Sequence, residues 1–184
     1  MRKKVCGLGT ILLLALAYVM DTENVFPYFV AATILHEMGH VIAVAACGGR
    51  IRSFTLAPFG FCLRFDGMMS YWCDAAIAAG GAAMNLCAAF LVNSKSFTES
   101  KATVCSVAAK YLPWTESLKL AAGGNFLLGL FNLLPALPLD GGRVLYALLA
   151  QILDDRRALI ATRAASFLIG AGITALGVYI LVKT

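Results

Sequence analysis

Long apolar runs with almost no charge in them recur along this chain, and they restrict it to a bilayer. The segment VFPYFVAATILHEMGHVIAVAAC, Val25 to Cys47, is 23 residues long. That length crosses a hydrocarbon core of about 30 Å at roughly 1.5 Å per residue. Comparable runs cover 5–20, 72–92 and 158–182. In lipid every backbone N–H and C=O must be bonded inside the protein, so such runs fold as helices. Composition agrees: 60% of the 184 residues are hydrophobic and 14% charged, where soluble domains carry about a quarter charged.

The charges that are present sit at segment ends. Arg2, Lys3 and Lys4 precede the first run; Arg50, Arg52 and Arg64 follow the second; Arg143, Arg156 and Arg157 precede the last, and Arg163 lies in its first turns. Basic residues in short loops mark the cytoplasmic side of a membrane protein. The net charge of +5 therefore reads as orientation, with no nucleic acid as partner. Lys95, Lys101, Lys110 and Lys119 run against this scheme, because it places their loop outside. The basic start and Ala15-Leu16-Ala17 also resemble a signal peptide, but the spans downstream favour a retained first helix. The six cysteines, Cys6, Cys47, Cys62, Cys73, Cys87 and Cys105, form no C-x-x-C pair and read as small apolar residues.

Two segments break the helical pattern. Over 50–66 apolar and polar residues alternate, with Phe54 and Leu56 against Ser53 and Thr55, and Pro58 near a turn. A period of two predicts a short β-hairpin, held at the membrane surface where its open backbone reaches protein or water. Its edge can accept an unwound peptide as an added strand. Over 118–153 the run carries Asn132, Pro135, Pro138, Asp140, Gly141 and Gly142, so the helix there is broken. The expected fold is an all-α polytopic membrane protein of about five to six transmembrane helices, with a short membrane-associated β-hairpin. One integral membrane domain is expected over 1–184, with helices over 5–20, 25–47, 72–92, 118–153 (broken) and 158–182.

Inside the second run stands HEMGH, with His36, Glu37 and His40. Ionisable side chains are expensive in lipid and mark function there. His36 and His40 are four residues apart, hence on one helix face, where two imidazoles can hold one Zn²⁺. Glu37 adjoins the first of them, in the H-E-x-x-H arrangement of zinc hydrolases. A catalytic zinc takes a third protein ligand. Asp74, at the start of the third run, and Asp140, at the break in the fourth, are the candidates. Broken helices place polar groups at embedded sites, which favours Asp140 over its competing role as an N-cap.

HEMGH together with FNLLPALPLDGGRVL resembles the site-2 protease family of intramembrane zinc metalloproteases, over roughly Val25 to Leu153. The resemblance implies that His36, His40 and Asp140 bind one zinc ion per chain, between the second helix and the broken fourth. It implies that Glu37 is the general base, and that Asn132 assists catalysis or substrate binding. The third helix departs from the family pattern: GGAAMN has Ala82 where proline is usual, ahead of Asn85. No additional PDZ-like or nucleotide-sensing domain is expected. The short form is similar to the branch that processes sporulation pro-sigma factors.

The expected function is that of an intramembrane zinc endopeptidase, multi-pass in the cell membrane, with its site nearer the cytoplasmic side. Its expected substrate is a membrane protein such as an anti-sigma or pro-sigma factor, cut in regulated intramembrane proteolysis. A gating membrane partner and a homo-oligomer both remain open. Two other readings compete. A prenyl-peptide-type zinc protease takes a downstream glutamate as third ligand, and only Glu99 and Glu116 are available. A non-catalytic scaffold or pseudoprotease would have no use for His36, Glu37, His40 and Asp140.

Overall fold

Helix α1 (Phe26–Ala46) is held at both ends by local bonds. The Asp21 carboxylate accepts from the Val25 and Phe26 N–H groups at 2.9 and 2.8 Å. These donors have no partner inside the helix. Pro27 lies in the first turn, where a missing N–H costs nothing. At the other end Gly48 takes φ +72°. This left-handed turn lets Gly49 N–H reach Val44 O at 2.9 Å and Gly48 N–H reach Ala45 O at 3.0 Å, closing the last carbonyls. The structure, a computed structural model, describes residues 16, 18–57, 60–66, 70–99 and 114–183. The expected helix over 5–20 lies almost wholly outside them.

Strands β1 (Arg50–Ala57) and β2 (Gly60–Asp66) pair antiparallel, with Arg50 opposite Asp66, Phe54 opposite Leu63 and an irregularity between Ile51 and Ser53. Four further helices follow: α2 (Tyr71–Glu99), α3 (Trp114–Asn132), α4 (Asp140–Leu149) and α5 (Asp155–Lys183). The molecule is mostly helical. Among the described residues three helical stretches are long and apolar enough to cross a membrane: Phe26–Ala46, Tyr71–Val92 and Asp155–Lys183. Helix α2 continues beyond the apolar run through the polar residues to Glu99. Apolar side chains are required only across the hydrocarbon; a helix leaving the bilayer can be polar.

Helices α1 and α2 run antiparallel and approach closely. A Cβ on Gly39 would strike the Gly80 carbonyl and come within 2.8 Å of the Met84 Cβ. Around this contact the buried residues are small: Ala32, Ala75, Ala78, Ala82 and Ala89, with Val44 and Ile77. Lipid tails are as apolar as side chains, so helices in a bilayer associate through close packing of small residues. Large apolar side chains point outward instead, among them Phe29, Ile42, Phe90, Leu127, Phe167 and Leu168. Exposed apolar surface on this scale calls for a lipid or protein cover.

The break between α3 and α4 has a local cause. Pro135 and Pro138 bring no N–H to a helix. The Leu137 N–H instead donates to Ser166 Oγ on α5 at 2.8 Å, and that hydroxyl donates to Thr162 O at 2.7 Å. Gly141 and Gly142 open α4. A Cβ on the first would strike the Leu133 carbonyl, and one on the second would lie 2.5 Å from the Ala136 carbonyl carbon. The glycine pair thus lets the irregular segment lie flat on the first turn of α4. At the other end of the bundle Asp155 accepts from Tyr71 at 2.5 Å and Tyr146 at 3.5 Å, joining α2, α4 and α5.

The α1–α2 approach yields a stability prediction. Gly39→Ala should lower the thermal unfolding midpoint in detergent, at a cost of about 1–3 kcal/mol for overpacking. Gly123→Ala, which meets no heavy atom within 4 Å, should not lower it.

Candidate metal centre

Three polar side chains converge inside the apolar body. His36 and His40 project from one face of α1, and Asp140 is the first residue of α4. His36 Nε2 lies 2.9 Å from Asp140 Oδ2 and 3.1 Å from His40 Nε2, and His40 Nε2 lies 3.1 Å from the same carboxylate oxygen. The three atoms form a nearly equilateral triangle from residues as far as 104 apart in the chain. All three residues are buried, at 6%, 7% and 8% exposure. Among the described residues this is the group of three or more His, Cys, Asp or Glu side chains that could hold a metal ion. Asp74, the other sequence candidate, is not part of it.

Asp140 takes no capping role. The N-cap position is Leu139, in extended conformation and with no side-chain cap bond. The carboxylate is turned to the histidines by Oδ2, while Oδ1 faces Arg143 Nη1 at 3.6 Å. His40 is oriented from the far side of its ring: Nδ1 donates to the Ile77 carbonyl of α2 at 2.7 Å. That bond fixes the tautomer and leaves the Nε2 lone pair facing the triangle.

The triangle fits a cation. With His40 Nδ1 protonated, two ring nitrogens and a carboxylate oxygen present more lone pairs than protons at one point. Tetrahedral ligands at about 2.0–2.2 Å from a zinc ion stand about 3.3–3.6 Å apart, a few tenths of an ångström wider than the 2.9–3.1 Å seen here. Gly81 leaves the wall beside them open: a Cβ there would lie 2.5 Å from His40 Nε2 and 2.7 Å from His36 Nε2. Two imidazoles and one carboxylate are a donor set suited to Zn²⁺.

Glu37 follows His36 on α1 and is half-buried. Asn132, at the last turn of α3, donates its amide to Leu128 O at 3.0 Å. No hydrogen bond among the described residues joins it to His36, His40 or Asp140. Sequence reasoning missed three supports. The Ile77 carbonyl belongs to the backbone and carries no residue signature. Arg143 read as an orientation charge. Gly81 was visible as the glycine ahead of Ala82 in the family pattern, but its partner histidines were not.

The model described as Peptidase M50B-like matches residues 10–112, and that of Peptidase family M50 matches residues 97–176. A candidate zinc metalloprotease of Synechocystis sp. is 33% identical over 136 residues, 72% of this chain and 34% of that protein. A zinc metalloprotease of Methanocaldococcus jannaschii is 29% identical over 120 residues, 65% of this chain and 32% of that protein. The chain thus spans about a third of the length of these relatives. Among solved structures, a site-2 protease from Methanocaldococcus jannaschii superposes with a TM-score of 0.59 at 22% identity, covering 83% of this chain and 69% of that one. That likeness is one of fold.

Gly81→Ala tests the open wall. It should cut bound zinc, measured by mass spectrometry of the metal on purified protein, to well below that of wild type while circular dichroism stays unchanged. Full metal occupancy in the variant would contradict the contact.

Proposed function

The chain belongs to peptidase family M50, the site-2 proteases, and from that premise we propose that it is an intramembrane zinc endopeptidase. The observation that carries the reading is the meeting of His36 Nε2, His40 Nε2 and Asp140 Oδ2 within 3.1 Å inside a membrane-type helical body. In this reading His36, His40 and Asp140 hold one zinc ion per chain. Zinc bound there would supply Lewis acidity, polarising a scissile carbonyl and making water a competent nucleophile near neutral pH.

The remaining work falls to the chain's own groups. Glu37 takes the proton of the attacking water and later delivers it to the leaving amine. Asn132 exchanges its Leu128 bond for the substrate's developing oxyanion. The Ile77 carbonyl keeps His40 in one tautomer, and Arg143 holds Asp140 Oδ1 so that Oδ2 stays inward. Apolar walls of alanine and glycine exclude bulk water, which strengthens each of these interactions.

The substrate is a membrane protein. A transmembrane helix hides its carbonyls in its own hydrogen bonds, so the segment to be cut unwinds before it reaches the site. With the α1–β1 junction cytoplasmic, as the arginines at 50, 52 and 64 indicate, His40 sits about 10 Å inside that face by helix rise. A membrane-anchored regulatory protein, such as an anti-sigma or pro-sigma factor, fits a cut at this depth.

Glu37→Gln tests the reading. Co-expressed with a candidate substrate, it should lose cleavage by about 10²–10⁴-fold, the usual worth of a general base, and keep its zinc. A non-catalytic scaffold would show no cleavage in wild type and no change in the variant, and unchanged cleavage would remove Glu37 from the mechanism.

A further inference from the structure

His36 lacks what His40 has. The outer nitrogen of His40 is bonded to Ile77 O, but His36 Nδ1 is buried with no hydrogen-bond partner. A ligating histidine holds its orientation by donating its outer N–H to a carbonyl, a carboxylate or water. An acceptor should therefore lie near the outer edge of the His36 ring.

The antiparallel register of α1 and α2 locates one. His40 meets Ile77, Gly39 meets Gly80, and His36 meets Gly81. Each turn back along α1 advances one turn along α2. Ile77, Gly81 and Asn85 follow at four-residue spacing on one stripe of α2. Asn85 therefore stands one turn beyond Gly81, about 6 Å further along, on the side of His36 away from His40.

Asn85 is fully buried, at 0% exposure, and neither amide atom has a partner. Both hydrogen-bonding ends of a buried amide are costly to leave unmade. One other described side-chain atom is buried and unpartnered, Asn125 Oδ1, and its amide is pinned to Ala121 O on its own helix at 2.8 Å. Asn85 is thus the free acceptor on the helix that faces His36. A buried water accepts from one group and donates to the next, and ordered waters occupy buried polar sites of this kind.

We propose that Asn85 is a positioning residue for His36, its Oδ1 accepting the Nδ1 proton through one buried water, as Ile77 O accepts that of His40 directly. The proposal rests on the reading of His36 as a metal ligand. It assigns Asn85 a place in the metal centre without contact to substrate. It also gives a reason for a buried amide among the alanines and glycines of α2: a leucine would fill the same space with no polar group to satisfy.

The test uses the full chain in detergent and measures zinc affinity by competition with a chromogenic chelator, with the unfolding midpoint of the metal-free protein alongside. Asn85→Leu should weaken zinc binding about 10–100-fold, the usual effect of removing such a support, and leave the metal-free midpoint unchanged or higher. Asn85→Asp, which keeps the acceptor, should bind close to wild type. Should the leucine variant fail to fold, Asn85→Ala gives the same reading. Zinc binding as tight as wild type in Leu or Ala, or no recovery in Asp, overturns the proposal. A wild-type protein that binds no zinc overturns the metal centre itself, which separates the two failures.

Discussion

Three lone-pair-bearing atoms, buried and within 3.1 Å of one another, repel unless a proton or a metal ion sits among them. A carboxylate and two imidazoles could share protons at such a point, but His40 Nδ1 already carries one toward Ile77 O. Its Nε2 is then an acceptor 3.1 Å from both neighbours. In an apolar surrounding the cost of this crowding is large and the gain from a cation correspondingly so. The rest of the structure can be understood as the means of bringing these atoms together and holding them.

Two backbone features do most of that. The contact of Gly39 with Gly80 lets α1 and α2 approach until the Ile77 carbonyl reaches a histidine and the bare Gly81 faces both ring nitrogens. Any side chain at Gly39 or Gly80 would separate the helices and withdraw both groups. The second feature is the break between Asn132 and Asp140. Two prolines end one helix, two glycines let the next begin directly beneath it, and Ser166 takes the Leu137 N–H that the break leaves free. The first residue of the new helix is then the carboxylate that closes the triangle.

The sequence made the membrane helices legible, because lipid leaves a run of apolar residues one way to satisfy its backbone. The histidine pair was legible for the same reason: an ionisable side chain in such a run needs a partner. Choosing Asp140 over Asp74 needed only the idea that a broken helix delivers polar groups to depth. What could not be read was contact between elements. The family pattern marks Gly81 within GGAAMN, but not that it faces the histidines while Gly80 faces Gly39. The role of Ile77 lies in a carbonyl that every residue has. Asn132 entered through resemblance alone, and its amide is turned to Leu128. Asn85 was visible as a departure from the family pattern, but its lack of partners is a property of packing.

Zinc K-edge X-ray absorption on the purified full chain tests the central claim most directly, since it reads the ligands rather than their consequences. One zinc per chain with two imidazole scattering paths and nitrogen or oxygen neighbours at about 2.0–2.2 Å is the expected result. A sulfur shell at about 2.3 Å, a single imidazole, or no bound zinc would contradict a centre built from His36, His40 and Asp140.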